Sequence, residues 1–193
     1  MCLVTLWFAL VYGGSDWLTD QRTWRVPIHT EFELGIPLVP SFVLVYVSLY
    51  VLFLAVPFVL RTKQEIDILA KQQVIVITIA GLCFWLLPAD LAYPPATDLG
   101  IWEKLFRWAD ELNLDHNLVP SLHVAMSAVS IKHYAANATT SVRWLLWIWC
   151  LLIAASTLLT HQHHLLDVAA GFALAIGVCW CFRGPAHKQA GSI

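Results

Sequence analysis

The chain has 193 residues, of which 59% are hydrophobic and 12% charged, with a formal net charge of −2 and a mean hydropathy of +0.69. A soluble domain carries about 45–50% apolar and about 25% charged residues, so this balance excludes a soluble enzyme and points to a polytopic membrane protein. With no basic block in the chain, no nucleic-acid partner is expected.

The first apolar run, residues 1–14, lacks a basic start and a small-residue cleavage site, so it reads as a first transmembrane helix over about residues 1–18. A span needs about 20 residues; either this helix runs on towards Leu18, or the natural start lies upstream of Met1. Further apolar runs at 36–60, 74–91, 119–136, 143–160 and 163–182 complete a predicted set of six. The expected fold is all-α, a six-transmembrane-helix bundle in one domain over 1–193, with its core at 36–182 and a short tail at 183–193. Cys83, Cys150, Cys179 and Cys181 lie inside apolar runs without disulfide or zinc spacing and read as small buried residues.

Orientation follows from Lys and Arg. With the amino terminus cytoplasmic, the inner segments hold Arg61, Lys63, Lys71, Lys132, Arg143, Arg183 and Lys188. The outer ones hold Arg22, Arg25, Lys104 and Arg107, and the acids crowd outside as well, among them Glu31, Glu33 and Asp115. Both termini are then cytoplasmic. The Asn137 sequon falls in an inner loop and should stay unmodified. Between the third and fourth spans, "GIWEKLFRWADEL" (100–112) puts Ile101, Trp102, Leu105, Phe106, Ala109 and Leu112 on one helical face. It reads either as a helix lying in the membrane interface or as one packed on the outer ends of the bundle.

"VPSLH" and "THQHHLLD" both fall at outer helix ends in this topology. His163 and Asp167 are four apart, one turn on the same helical face. A carboxylate there accepts from Nδ1–H of the imidazole and leaves Nε2 with its lone pair, the orienting arrangement of a nucleophile. His123 lies in the first turn of a helix opened by Pro120 and Ser121, with Ser121 a candidate N-cap. First-turn amides and the positive end of the dipole form a phosphate seat. Two such starts on one side of the membrane are placed to hold one phosphate between them. A metal site built from His161, His163, His164 and Asp167 is the rival, but the spacing does not suit a helix-borne zinc set. No cofactor or metal is expected.

These residues resemble the type-2 phosphatidic-acid phosphatase superfamily of membrane lipid phosphatases and phosphotransferases. "PSLH" (120–123) is similar to its Pro-Ser-Gly-His segment, and "STLLTHQHHLLD" (156–167) to its final motif, Ser-Arg followed by His-x-x-x-Asp. The resemblance implies metal-independent chemistry with His163 as nucleophile, Asp167 as its orienting partner and His123 as general acid/base. The chain departs from the pattern at Leu122, at Thr157 where the family has Arg, and in "LLPADLAYPPATDLG" (86–100), which has no basic residue. These departures look more like the branch containing inositol phosphorylceramide synthases. Candidate substrate-binding residues are Ser121, Asn117, Arg22, Arg25 and His164, with Arg favoured for bidentate phosphate contacts. The expected function is hydrolysis of a lipid phosphate or phospholipid through a phosphohistidine at the outer membrane face. Phospholipid head-group transfer by the same histidines is the alternative, and a catalytically inactive scaffold the second. A small transporter would need ionisable residues deep in several spans, which this chain lacks.

Overall fold

A computed structural model describes residues 2–113 and 117–182. Asp115, Arg183 and Lys188, and with the latter two the predicted tail, lie outside the described residues.

The helices run as α1 (Cys2–Asp20), α2 (Val43–Val47), α3 (Leu49–Val59), α4 (Lys63–Leu86), α5 (Glu103–Leu112), α6 (Leu122–Ala136), α7 (Thr140–Leu159) and α8 (Leu165–Cys181). α1 lies along α4, where a Cβ on Gly81 would come within 2.3 Å of Val11 Cγ1. Glycine is therefore what lets the two backbones approach. The Ser15 and Thr19 hydroxyls donate to the Gly81 and Phe84 carbonyls across this contact.

α2 and α3 make one apolar rod, broken at Ser48, whose hydroxyl donates to Val45 O at 2.5 Å and accepts from Trp149 Nε1 at 2.8 Å. α4 begins at Lys63 rather than at 74, because Thr62 and Glu65 form a reciprocal capping box ahead of the polar first turns. The sequence "TKQE" carries that signal, yet hydropathy alone places the start too late. At this same end of the molecule Asn137 donates to Glu65 Oε1 at 2.7 Å.

α6 is the central helix, packed against α3, α4, α7 and α8. Most of its residues are buried, down to Ala125, Ser127, Val129, Ser130 and Ile131 at 0% exposure. Its middle, 124–131, is accordingly uncharged and rich in small side chains, and Lys132 and His133 come only towards its far end. The amphipathic segment forms α5, which seats Phe106 and Ala109 against Val43 and Tyr46. Ile101, Trp108 and Leu112 on its flank are exposed.

The rod Pro40–Val59 and the helices Lys63–Leu86 and Thr140–Leu159 are long and apolar enough to cross a membrane, and Leu165–Cys181 is a shorter apolar helix. Leu54, Phe58, Leu151 and Ile176 point outward from these helices, the surface expected of an integral membrane protein. One feature of the chain falls outside the all-α expectation. Val26–Pro27 (β1) pairs in parallel with Ala89–Asp90 (β2), tying the segment after α1 to the segment after α4.

Candidate active site

The starts of α6 and α8 meet at the end of the bundle marked by the β1–β2 pair. Ser121 caps α6, its hydroxyl oxygen accepting from Val124 N at 3.4 Å, and its own N–H donates to Asp167 O at 3.0 Å. A Cβ on Gly171 would lie 2.7 Å from Ser121 O and 3.0 Å from Val124 Cβ. The bare Cα of Gly171, one turn beyond Asp167, is thus the condition for the two helix starts to touch.

Between α7 and α8 the chain turns tightly. Both Gln162 N and His163 N donate to Thr157 O, at 2.9 and 3.1 Å, and His161 takes a left-handed φ of 57°, a conformation uncommon outside glycine. This turn delivers His163 to the position just before the cap residue of α8, so the expected shared helical face becomes a contact across the helix start. His163 Nδ1 faces Asp167 Oδ2 at 3.2 Å, and the same oxygen accepts from His164 N at 2.8 Å. The pair is 2% and 0% exposed. A carboxylate accepts only, so the imidazole proton sits on Nδ1 and the lone pair on Nε2.

The His123 ring centroid lies 6.5 Å from that of His163. Tyr46 stacks on it at 4.0 Å, and its Nε2 is buried without a hydrogen-bond partner. The structure therefore brings His123 to the His163–Asp167 pair from 40 residues earlier in the chain.

His164 is placed differently. It is fully buried, and its Nε2 accepts from Ala92 N at 3.2 Å, which puts its proton on Nδ1, facing Glu33 Oε2 at 3.4 Å. Nε2 is thus hydrogen-bonded by the protein, while Nδ1 is buried beside Glu33 without a hydrogen-bond partner. Tyr93 stacks on this ring and on His161, at 4.7 and 4.1 Å, while His161 Nε2 donates to Ile36 O at 2.9 Å. Burial, with the charges of Glu33 and Asp167, pushes the Tyr93 phenol up to about 12, so it stays protonated.

Glu33 is the site residue that the sequence did not single out. It is 1% exposed. Its Oε1 accepts from the Thr30 amide at 2.9 Å and hydroxyl at 2.8 Å, and its Oε2 accepts from Leu165 N at 2.6 Å. Burial works against its charge, but the donors of Leu165 and Thr30 and the neighbouring His164 outweigh it, holding the carboxyl below its ordinary value. Thr30 is a local partner, but nothing local marks the loop carboxylate as buried, because Leu165, on which it is buried, stands 132 residues away.

The remaining candidates, Asn117, Arg22 and Arg25, make the following contacts with residues other than these histidines. Asn117 Nδ2 donates to Tyr12 O at 2.7 Å, and its Oδ1 is buried without a partner. Arg25 Nη1 donates to the carbonyls of Thr19, Arg22 and Trp24, closing the end of α1. The Arg22 guanidinium lies over Trp24 and Trp85, 5.5 Å from each ring. The Ser156 and Thr157 hydroxyls turn back onto the carbonyls of Ile153 and Ala154. Gln162, beside His163, is clamped between Asp110 and Asn113 at the end of α5, at 2.9 and 2.5 Å. Among the described residues no group of three or more His, Cys, Asp and Glu side chains is placed to hold a metal ion.

Set against known proteins, the family model of the PAP2 superfamily matches residues 23–181. The match takes in both histidine motifs and Glu33, and stops short of Arg22. No solved structure matches the chain.

Proposed function

Since this chain belongs to the PAP2 superfamily, whose members are typically phosphatases, we propose that it is an integral-membrane phosphoesterase acting on a lipid phosphate or phospholipid. The observation that carries the reading is the buried His163–Asp167 pair at 3.2 Å, with the His123 ring 6.5 Å from that of His163. At that ring spacing the two imidazoles are close enough to act on one phosphoryl group.

In the first step the lone pair of His163 Nε2 forms a bond to phosphorus and the ester P–O bond breaks. Protonated His123 gives its proton to the leaving oxygen, and Asp167 stabilises the charge that develops on the His163 ring. In the second step a water oxygen attacks phosphorus, His123 takes its proton, and the N–P bond breaks to release phosphate. The amides of Leu122 and His123, in the first turn of α6, have no intrahelical acceptor by position and stabilise the phosphoryl oxygens. Asn117 Oδ1 is an acceptor for a substrate hydroxyl. Arg22 and Arg25 are the proposed balancing cations, Arg25 by exchanging the carbonyls at the end of α1 for phosphate oxygens.

The reading includes six spans, cytoplasmic termini and an outward-facing site, supported by the distribution of Lys and Arg. Head-group transfer to a lipid alcohol, as in the inositol phosphorylceramide synthase-like branch, shares the first step and differs in the acceptor. Leu122 in the Pro-Ser-x-His segment and the missing motif Arg at Thr157 favour it as the second reading. The test is phosphate release from a panel of lipid phosphates by detergent-purified protein in EDTA. Wild type is expected to release phosphate and His163→Ala to lose about a thousandfold or more. Release by both proteins alike contradicts the proposed nucleophile, and no free phosphate with the phosphoryl group appearing instead on an added lipid alcohol selects transfer.

A further inference from the structure

The two helix starts at the site are filled differently, and the filling of α8 comes from outside the histidine motifs. Its first free amides are those of His164 and Leu165. The His164 N–H goes to Asp167 Oδ2 at 2.8 Å and the Leu165 N–H to Glu33 Oε2 at 2.6 Å. Two carboxylates thus occupy the end of a helix where an anion is most favourably placed. Glu33 is held there from the other side by both the amide and hydroxyl of Thr30. Its Oε2 also faces His164 Nδ1 at 3.4 Å, with the far nitrogen of that ring fixed by Ala92 N.

A phosphate dianion entering this site would otherwise find two competing seats, one at each helix start. Only a phosphate at the start of α6 lies between His123 and His163 in line for attack. One drawn to the amides of α8 would be bound and unreactive.

We propose that Glu33 is a positioning residue that plugs the N-terminus of α8 with a fixed protein carboxylate, so that phosphate seats at the start of α6 alone. Its second effect follows from the same contacts. Through Leu165 N and His164 it holds the turn that carries His163 and Asp167. The proposal rests on the phosphoesterase reading for its kinetic part, but the plug itself is a statement about anion binding and is read without turnover.

The experiment compares wild type, Glu33→Gln and Glu33→Asp in detergent by titration with inorganic phosphate, followed by ³¹P NMR. Glu33→Gln keeps an oxygen for the Leu165 N–H and removes the charge. Inorganic phosphate should bind it about fivefold more tightly than wild type, the scale of a charge at a helix end. In the same variant kcat and KM for the lipid phosphate should fall together, the mark of a second, unproductive binding mode. Glu33→Asp keeps the charge but draws it back by one methylene, and should move both quantities the same way by less. If Glu33→Gln does not fold, the Asp variant carries the test alone.

Unchanged or weaker phosphate binding in the variants overturns the plug. So does a fall in kcat at constant KM, which a loosened turn alone would give. If wild type binds phosphate yet turns over no lipid phosphate, the functional reading fails while the titration still decides the role of Glu33.

Discussion

The beginnings of α6 and α8 are neighbours in space and opposites in chemistry. α6 opens on a neutral hydroxyl cap from Ser121, and among the described residues no carboxylate sits on its next two amides. α8 opens on two carboxylates, Asp167 from its own first turn and Glu33 from a loop far away in sequence. The first is an anion seat left available; the second is an anion seat already taken. The difference teaches how one site can use two positively polarised helix ends for different tasks. In the proposed reading one binds the substrate, and the other presents the nucleophile with its proton fixed on Nδ1.

The largest effect should come from removing the charge that faces His163. Asp167→Asn keeps the shape but offers an amide, which no longer fixes the His163 tautomer. Phosphate release should fall by about a hundredfold to ten-thousandfold. A loss smaller than tenfold would mean that the carboxylate at α8 only caps the helix.

Next comes the contact that makes the two starts neighbours. Gly171→Ala places a Cβ against Ser121 O and Val124, and neither backbone nor β-branched side chain can yield easily. Overpacking of this kind costs about 1–3 kcal/mol. Detergent thermal denaturation should show a lowered Tm, and activity should fall in the protein that remains folded. An unchanged Tm would show that α6 and α8 can separate freely.

The smallest expected effect is on stability in acid. The carboxyl of Glu33 is held below its ordinary value in the folded chain, so folding binds fewer protons there than unfolding does. Its contribution is complete above the ordinary carboxylate value and is lost as pH falls through the lowered folded value. In Glu33→Gln the Tm should decline less steeply over that acid window than in wild type. Parallel profiles would remove Glu33 from the ionised groups that tie α8 down.

How much of this was legible in the sequence depended on distance along the chain. The His163–Asp167 pair is written at i, i+4, and Ser121 stands where a cap belongs, so local spacing was enough to foresee both. The helices of 140–159 and 165–181 follow from apolar runs of the right length. α4 was placed too short because its polar beginning is specified by a capping box and not by hydropathy. Glu33 was invisible for a different reason. An acid in an outer loop looks solvated, and only the return of the chain after 132 residues buries it on Leu165. The engagement of His164 by Ala92 and Glu33 is likewise a tertiary fact, as is the clamp of Asp110 and Asn113 on Gln162. The apolar face of the amphipathic segment was legible, and the bundle uses most of it: Trp102, Leu105, Phe106 and Ala109 pack with Val43 and Tyr46, while Ile101 and Leu112 face outward.

The central claim is that His163 Nε2 takes the phosphoryl group. Its most direct test is rapid acid-free quenching of the protein with a ³²P-labelled lipid phosphate, followed by denaturing electrophoresis. The account predicts a protein-bound label that is stable in base, released in acid, and absent from His163→Ala. A wild-type enzyme that turns over the substrate without ever carrying such a label, or a label that survives in His163→Ala, would contradict it.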